Sequence, residues 1–169
     1  MILLDPDLDP DPARYLTTSQ RKHVVPHKAK LPSQGALVRF LARARAAVPL
    51  RGNVSVLLTT DTAIRRMNQQ FRGKNTSTDV LSFPTDAPTQ RRERLAGDVA
   101  ISVPTAQRQA SRQGHSLAAE IKVLILHGLL HLAGYDHEVD SGQMARRERL
   151  LRARLRLPQG LIERAGERL

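Results

Sequence analysis

Apolar positions along this chain follow two periods, one typical of β-strands and one typical of helices. Alternation and β-branched residues predict strands at 53–60, 80–84 and 97–102, and a short apolar run predicts another at 2–4. Helical periodicity predicts helices at 33–48, 103–113, 116–133 and 141–155, and a further one that is capped by Asp61 or Thr62 and ends near Gln70. This mixture of elements predicts an α+β fold in a single domain, residues 1–169.

The segments between these elements are polar or rich in proline. Residues 5–12 repeat Asp-Pro and are predicted to form a loop, because proline removes a hydrogen bond from a helix interior and clashes with the preceding turn. A basic and polar loop is predicted at 71–79, and a mobile, arginine-rich excursion at 85–96.

The most informative stretch is the helix predicted at 116–133 together with the turn that follows it. His127 and His131 are four residues apart, so both imidazoles lie on one face of this helix. Gly134 is predicted to end the helix in a left-handed turn that glycine adopts without strain, and the turn can bring His137 toward the first two histidines. Three neutral imidazoles with an open fourth position form a ligand set typical of catalytic zinc.

The histidine spacing matches the extended zinc-protease motif, His-Glu-x-x-His-x-x-Gly-x-x-His, with one departure. Gly128 occupies the place of the glutamate that serves as the general base in those enzymes. Met144 follows soon after, but it lies in a predicted helix, where a core position is favoured over a methionine turn. The spacing therefore predicts a metal site and disfavours protease chemistry.

Composition adds expectations about partners and location. Lys and Arg number 27 against 16 Asp and Glu, and the net charge of +11 favours phosphate-rich partners such as nucleic acid, although a solvated, arginine-rich surface would give the same balance. Aromatic residues make up only 3% of the chain, which argues against a base-stacking sheet. Cysteine is absent, and neither a signal peptide nor a membrane-spanning run is evident, so we expect a cytoplasmic protein with no membrane partner.

Three segments carry a family resemblance. The first is Met-Asn-Gln-Gln-Phe-Arg-Gly-Lys at 67–74, continuing to Thr-Asp-Val-Leu-Ser-Phe-Pro at 78–84; the others are Gly-Asp-Val-Ala-Ile-Ser at 97–102 and the histidine motif at 127–137. In this order they resemble the YbeY family of bacterial rRNA-maturation endoribonucleases, over a family-like core of about residues 53–155. Residues 1–30 and the insert around 90–94 match no family feature, so we interpret 1–30 as an atypical N-terminal extension.

The resemblance implies a zincin-like α+β domain, in which a small mixed sheet is flanked by helices and the metal site lies at the end of a central helix. It implies one Zn²⁺ per chain on His127, His131 and His137, and a functional arginine at Arg72. The implied activity is that of a single-strand-type endoribonuclease in 3′-end maturation of 16S rRNA, in late ribosome assembly and in quality control. Ribosomal RNA and the small ribosomal subunit are the implied partners.

Candidate roles follow for individual side chains. Zinc on His127 and its partners can act as a Lewis acid and Arg72 can bind a non-bridging phosphate oxygen, so both residues are candidate catalytic groups. Arg72 and Lys74 are the candidate substrate-binding residues; a structural salt bridge at Arg72 and a merely solvated Lys74 are the alternatives.

The nucleophile and the base stay open at this point, because Gly128 replaces the motif glutamate. A water on the metal, the 2′-hydroxyl of the RNA and a residue outside the motif are all compatible with the sequence. The alternative function is a zinc-stabilised ribosome-assembly or RNA-binding factor with little cleavage activity.

Overall fold

The fold is a small mixed sheet with helices on both faces, and the computed structural model describes residues 1–23, 29–86 and 94–158. The strands form one sheet in the order β1-β2-β4-β3, in which β1, β2 and β4 are parallel and β3 is antiparallel to β4. This arrangement confirms the predicted α+β fold. Along the chain the elements are β1 (Ile2–Leu4), a 3-10 turn (Pro12–Tyr15), α1 (Thr18–His23), α2 (Gln34–Ala47), β2 (Asn53–Thr59), α3 (Asp61–Arg72), β3 (Val80–Pro84), β4 (Leu95–Ser102), α4 (Val103–Gln113), α5 (Leu117–Leu132) and α6 (Gln143–Leu155).

Helix α5 forms the centre of the molecule. It is buried on nearly every side, as expected for a helix that is apolar all round. On the sheet, Val99 and Ile101 belong to the same core cluster as α5, whereas Ala100 between them packs with Ile64 of α3. Because successive strand side chains point to opposite faces, α5 covers one face of the sheet and α3 covers the other.

Helix α3 differs from its prediction at both ends. Thr60, not Asp61 or Thr62, is the N-cap, and its hydroxyl accepts a hydrogen bond from the backbone N–H of Ala63 at 3.2 Å. The helix does not end near Gln70 but continues to Arg72, and Gly73 then adopts a left-handed conformation with φ of 68°. The predicted loop therefore loses its first two residues to the helix, since the glycine is the stronger stop signal.

Two later elements, β4 and α6, begin at residues other than those predicted. Strand β4 begins at Leu95, two residues earlier than predicted, because Leu95 pairs with Asn53 of β2. Helix α6 begins at Gln143 instead of residue 141, because the carboxylate of Asp140 accepts the backbone N–H groups of residues 142–144 at 2.7, 3.0 and 2.8 Å.

Part of the mobile excursion predicted at 85–96 lies outside the described residues, namely 87–93. Within the ranges that the structure does describe, none of the helices combines the length and apolar character needed to cross a membrane.

Candidate metal centre

His127 and His131 lie on successive turns at the C-terminal end of α5. Their Nε2 atoms are 3.1 Å apart and their ring centroids 4.8 Å apart. His127 is buried and His131 is partly exposed, so the pair opens from the core toward the surface. The i, i+4 spacing thus places both imidazoles on one face, as expected from helix geometry.

The chain reverses after α5 through a glycine turn. Gly134 is left-handed with φ of 89°, its N–H donates to the carbonyl of His131 at 3.0 Å, and the N–H of Tyr135 donates to the carbonyl of Leu130 at 3.1 Å. This pair of bonds is the Schellman arrangement, which satisfies the last helix carbonyls and turns the chain sharply. Tyr135 then packs against the core, and His137 follows two residues later on the side of the first two histidines.

The third histidine completes a cluster. One ring nitrogen from each of His127, His131 and His137 lies within 4.8 Å of the other two, and the His137 ring centroid is 5.2 and 5.3 Å from those of its partners. Two nitrogens bound to tetrahedral zinc at about 2.0–2.1 Å would lie about 3.3 Å apart, close to the spacing of the His127 and His131 nitrogens. The donor set therefore fits a metal ion, and this group could hold one.

The electrostatics of the cluster favour a neutral His131. Burial, together with the charges of His127 and His137, lowers the pKa of His131 from 6.5 to about 4, against an opposing contribution from Asp136. His131 is therefore neutral at pH 7 and its lone pair is available to a metal. Asp136 itself is a turn residue, whose Oδ1 accepts the backbone N–H of Glu138 at 3.0 Å.

Glu148 on α6 is a site residue that the sequence analysis missed. Its carboxylate is 2% exposed, and Oε2 lies 3.4 Å from Nδ1 of His127. When Nδ1–H faces this carboxylate, the opposite nitrogen, Nε2, keeps its lone pair and points toward His131. A signal was available, because Glu148 falls in the apolar stripe of α6 between the core residues Met144 and Leu151.

Gly128 has a packing role that explains the missing glutamate. A Cβ atom at this position would lie 2.8 and 3.0 Å from the two methyl carbons of Val99 and 3.2 Å from Oγ of Ser82. The helix backbone therefore lies directly against strands β3 and β4, and the Ser82 hydroxyl donates to the Gly128 carbonyl at 3.4 Å. A side chain here would point into the sheet, so this position has no room for a general base.

Arg72 and Lys74 flank the end of α3. Arg72 is exposed, and its charge contributes to the lowered pKa of His131, which places it within electrostatic reach of the cluster. Lys74 is also exposed, and its backbone N–H donates to the carbonyl of Asn68 at 3.3 Å. The structure thus brings the three histidines together, with Arg72 nearby and Lys74 on the adjoining surface.

Comparisons with known proteins point to one family. A family model described as Endoribonuclease YbeY matches residues 16–156. A protein of that name from Koribacter versatilis (strain Ellin345) is 49% identical over 132 residues, which cover 78% of this chain and 84% of that one. Its counterpart from Helicobacter pylori (strain ATCC 700392 / 26695) is 39% identical over 143 residues, or 85% of this chain and 98% of that one.

Among solved structures, the solution structure of a Thermotoga maritima protein is similar, with a TM-score of 0.51 and 26% identity. The match covers 74% of this chain and 85% of that one. Together with the family match over most of the chain, these relatives show that the chain belongs to the endoribonuclease YbeY family.

Proposed function

We propose that this protein is a zinc-dependent endoribonuclease that cleaves single-stranded regions of RNA, and that it acts in 3′-end maturation of 16S rRNA and in late ribosome assembly. The observation that carries the proposal is the convergence of three imidazole nitrogens at the end of α5, in a chain whose relatives are named endoribonucleases. The net charge of +11 supports an RNA substrate, because a basic surface concentrates phosphate-rich ligands.

His127, His131 and His137 are the proposed ligands of one zinc ion per chain. A zinc ion held by three imidazoles supplies a Lewis acid, which can stabilise the charge that develops on a phosphate oxygen. Glu148 keeps His127 in the tautomer and orientation that the site needs. His131 contributes a neutral imidazole at pH 7, since its pKa is about 4.

Arg72 is the proposed substrate-binding and catalytic cation. Its planar guanidinium can donate two hydrogen bonds to the non-bridging oxygens of one phosphate, which orients the scissile group toward the histidine cluster. Lys74 adds positive charge to the adjoining surface and is proposed to hold a neighbouring phosphate.

The packing of Gly128 bears on both the nucleophile and the alternatives. Because a side chain at 128 would meet Val99 and Ser82, the histidine helix does not supply the carboxylate on which zinc proteases depend. A ribonuclease has a nucleophile that a protease lacks, namely the 2′-hydroxyl of its own substrate. The same observation favours a second candidate, a zinc-stabilised assembly factor that binds ribosomal RNA and cleaves it slowly.

The test combines metal content with cleavage. We expect the wild-type protein to contain about one zinc ion per chain and to cleave single-stranded ribosomal RNA in a reaction that a chelator stops. His131→Ala should lose both the metal and the cleavage while its circular dichroism spectrum stays unchanged.

Arg72→Ala should keep the metal and lose most of the cleavage. Arg112→Ala is its charge-matched control, because Arg112 is exposed on α4 and precedes the opposite end of α5 from the histidines. Cleavage that survives in metal-free protein would contradict the proposed ribonuclease. Bound zinc without cleavage of any ribosomal RNA would favour the assembly factor, and chelator-sensitive casein cleavage would revive a protease.

A further inference from the structure

Phe71 is the one strongly exposed aromatic residue of the chain, whose three phenylalanines and two tyrosines all lie in the described ranges. Its side chain is 61% exposed, whereas Phe40 is 5% exposed and Phe83 and both tyrosines are partly buried. A single exposed apolar residue is common on protein surfaces and implies nothing by itself. The surroundings of Phe71 are what distinguish it.

The ring of Phe71 is supported on one side and open on the other. It meets the Phe83 ring at 5.1 Å between centroids in a T-shaped arrangement, with 67° between the ring planes. Phe83 in turn packs on the small core cluster of Ile64, Leu81 and Ala100. An aromatic ring that is braced by the fold and exposed to solvent has the properties of a surface on which a nucleobase can stack.

The chain around Phe71 is basic and contains no acidic residue. Residues 62–78 include four cations and neither aspartate nor glutamate, and all four cations are exposed: Arg65, Arg66, Arg72 and Lys74. The segment after α3 is tied to the helix, because the amide of Asn68 donates to the carbonyl of Thr76 at 2.8 Å and Nε of Arg65 donates to Oδ1 of Asn75 at 2.7 Å. The segment that carries Lys74 is therefore held against α3, near Phe71 and Arg72 at the C-terminal end of that helix.

Phe71 and the histidine cluster lie at the same edge of the sheet, on its two faces. Ser82 and Phe83 are neighbours on the edge strand β3 and point to opposite faces, Ser82 toward the carbonyl of Gly128 at 3.4 Å and Phe83 toward the α3 side, where it meets Phe71. Arg72, the next residue after Phe71, lies within electrostatic reach of His131. An RNA strand that runs around this edge of the sheet toward the histidine cluster passes the exposed ring and Arg72.

We infer that Phe71 is a stacking platform for one unpaired base of an RNA strand whose adjacent phosphates lie on Arg72 and Lys74. The inference rests on the proposed function and specifies the form of its substrate. A base inside a duplex has both faces covered by its neighbours, so only an unpaired and unstacked base can use this ring. Phe71 thereby selects single-stranded segments next to the metal centre.

The absence of tryptophan from the chain allows a direct test. Phe71→Trp places the only tryptophan at the proposed platform, and Leu150→Trp places it at a comparably exposed position on α6, where Leu150 is 66% exposed. The probe is a short 2′-O-methyl oligoribonucleotide, which removes the 2′-hydroxyl nucleophile, used as a single strand and annealed to its complement. We expect the single strand to quench the fluorescence of Phe71→Trp, the duplex to quench it weakly, and neither to affect Leu150→Trp.

Affinity gives a second measurement on the same probe. Phe71→Ala should raise the Kd for the single strand by about 5- to 150-fold, which corresponds to the loss of one stacking contact. Phe71→Tyr should keep wild-type affinity, whereas Phe71→Leu, which is apolar but has no aromatic face, should behave like the alanine variant.

Unchanged affinity in folded Phe71→Ala, or equal quenching at positions 71 and 150, would overturn the inference. These failures are distinguishable from failure of the proposed function. Wild-type cleavage with no effect of Phe71→Ala would reject the platform alone, and quenching without any cleavage by wild-type protein would reject the ribonuclease alone.

Discussion

Two polar clusters lie toward opposite ends of strand β4, and they are built on opposite principles. Near its C-terminal end, the carboxylate of Asp61 accepts hydrogen bonds from the hydroxyls of Ser102 and Thr105 and from the guanidinium of Arg108, the last two at 2.7 Å. Burial alone would raise the pKa of Asp61, but these donors outweigh it and lower the pKa below its usual value. Each acceptor in this cluster faces a donor.

The histidine cluster, which lies beside the first half of β4, gathers groups of the same kind. Burial and the neighbouring imidazoles both lower the pKa of His131, so its charged form is not stabilised, and Nε2 of His127 faces Nε2 of His131 at 3.1 Å. The difference separates a polar cluster whose partners all come from the chain from one that could take an added ligand. The Asp61 carboxylate is satisfied by the chain itself, whereas the three histidines form a group that could hold a metal ion.

Among the substitutions that distinguish the two clusters, we expect the largest effect at Glu148. Its contact with His127 is part of the histidine cluster and not of the Asp61 cluster. Glu148→Gln preserves the size of the side chain but removes the charge that orients His127. Metal affinity should fall by about 10- to 100-fold, measured by competition with a chromogenic chelator. Zinc affinity equal to wild type in a folded Glu148→Gln protein would show that the contact does not support the ligand.

Gly128 tests how closely the histidine helix lies against the sheet. Gly128→Ala introduces a methyl group within 3.0 Å of Val99, and overpacking of this kind costs about 1–3 kcal/mol, against about 1 kcal/mol gained in helix propensity. We expect a net loss of up to about 2 kcal/mol in the free energy of unfolding, measured with urea. In a Val99→Ala background, where the two methyl carbons of Val99 are absent, Gly128→Ala should lower the free energy of unfolding by less than it does in the wild-type protein. A stabilised Gly128→Ala protein would contradict the close approach.

Asp61→Asn should affect stability and leave the metal site intact. It weakens the bonds to Ser102, Thr105 and Arg108, and the expected loss is about 1 kcal/mol, since the carboxylate is partly exposed. Urea unfolding measures the loss, and the chelator competition should give wild-type metal affinity. Asp7→Asn, at an exposed position, is the matched control and should change neither quantity. Weakened zinc binding in Asp61→Asn would show that the two clusters are coupled.

The two clusters should also differ in the pH range over which they affect stability, measured in metal-free protein. The pKa of His131 is about 4 when folded and about 6.5 when unfolded, so the unfolded chain takes up the proton first, and stability falls as the pH drops from 6.5 to 4. Asp61 has a lowered pKa, so its contribution is present above the usual carboxyl value of 3.8 and disappears below it.

Urea unfolding at several pH values gives the free energy of unfolding as a function of pH. Between pH 6.5 and 4 this free energy should fall less steeply in His131→Asn than in the wild-type protein. In Asp61→Asn the free energy of unfolding should fall less steeply than in wild type only below pH 4. If the free energy of unfolding depends on pH in the same way in wild type and in both variants, the pH ranges assigned to His131 and Asp61 are wrong.

Much of the fold followed from local patterns. The four strands and helices α2 to α6 were predicted from their apolar patterns, whereas the short helix α1 was not. Ser33 and Ser116 cap α2 and α5 at the predicted helix starts. Errors concentrated at element ends, where several residues compete to cap or stop a helix. The end of α3 is the clearest case. The sequence pattern placed Phe71 and Arg72 in a loop, whereas the helix includes both and stops at Gly73.

The sequence alone determined the local chemistry of the candidate metal centre, namely two imidazoles on one helix face, a glycine turn and a third imidazole after the turn. These follow from helix geometry over eleven consecutive residues, 127–137. Only the tertiary structure decided that Glu148 faces His127, that Val99 leaves no room at Gly128, and that Phe71 is exposed against Phe83. Each of these joins two different elements, whose contacts depend on how the helices and the sheet pack together.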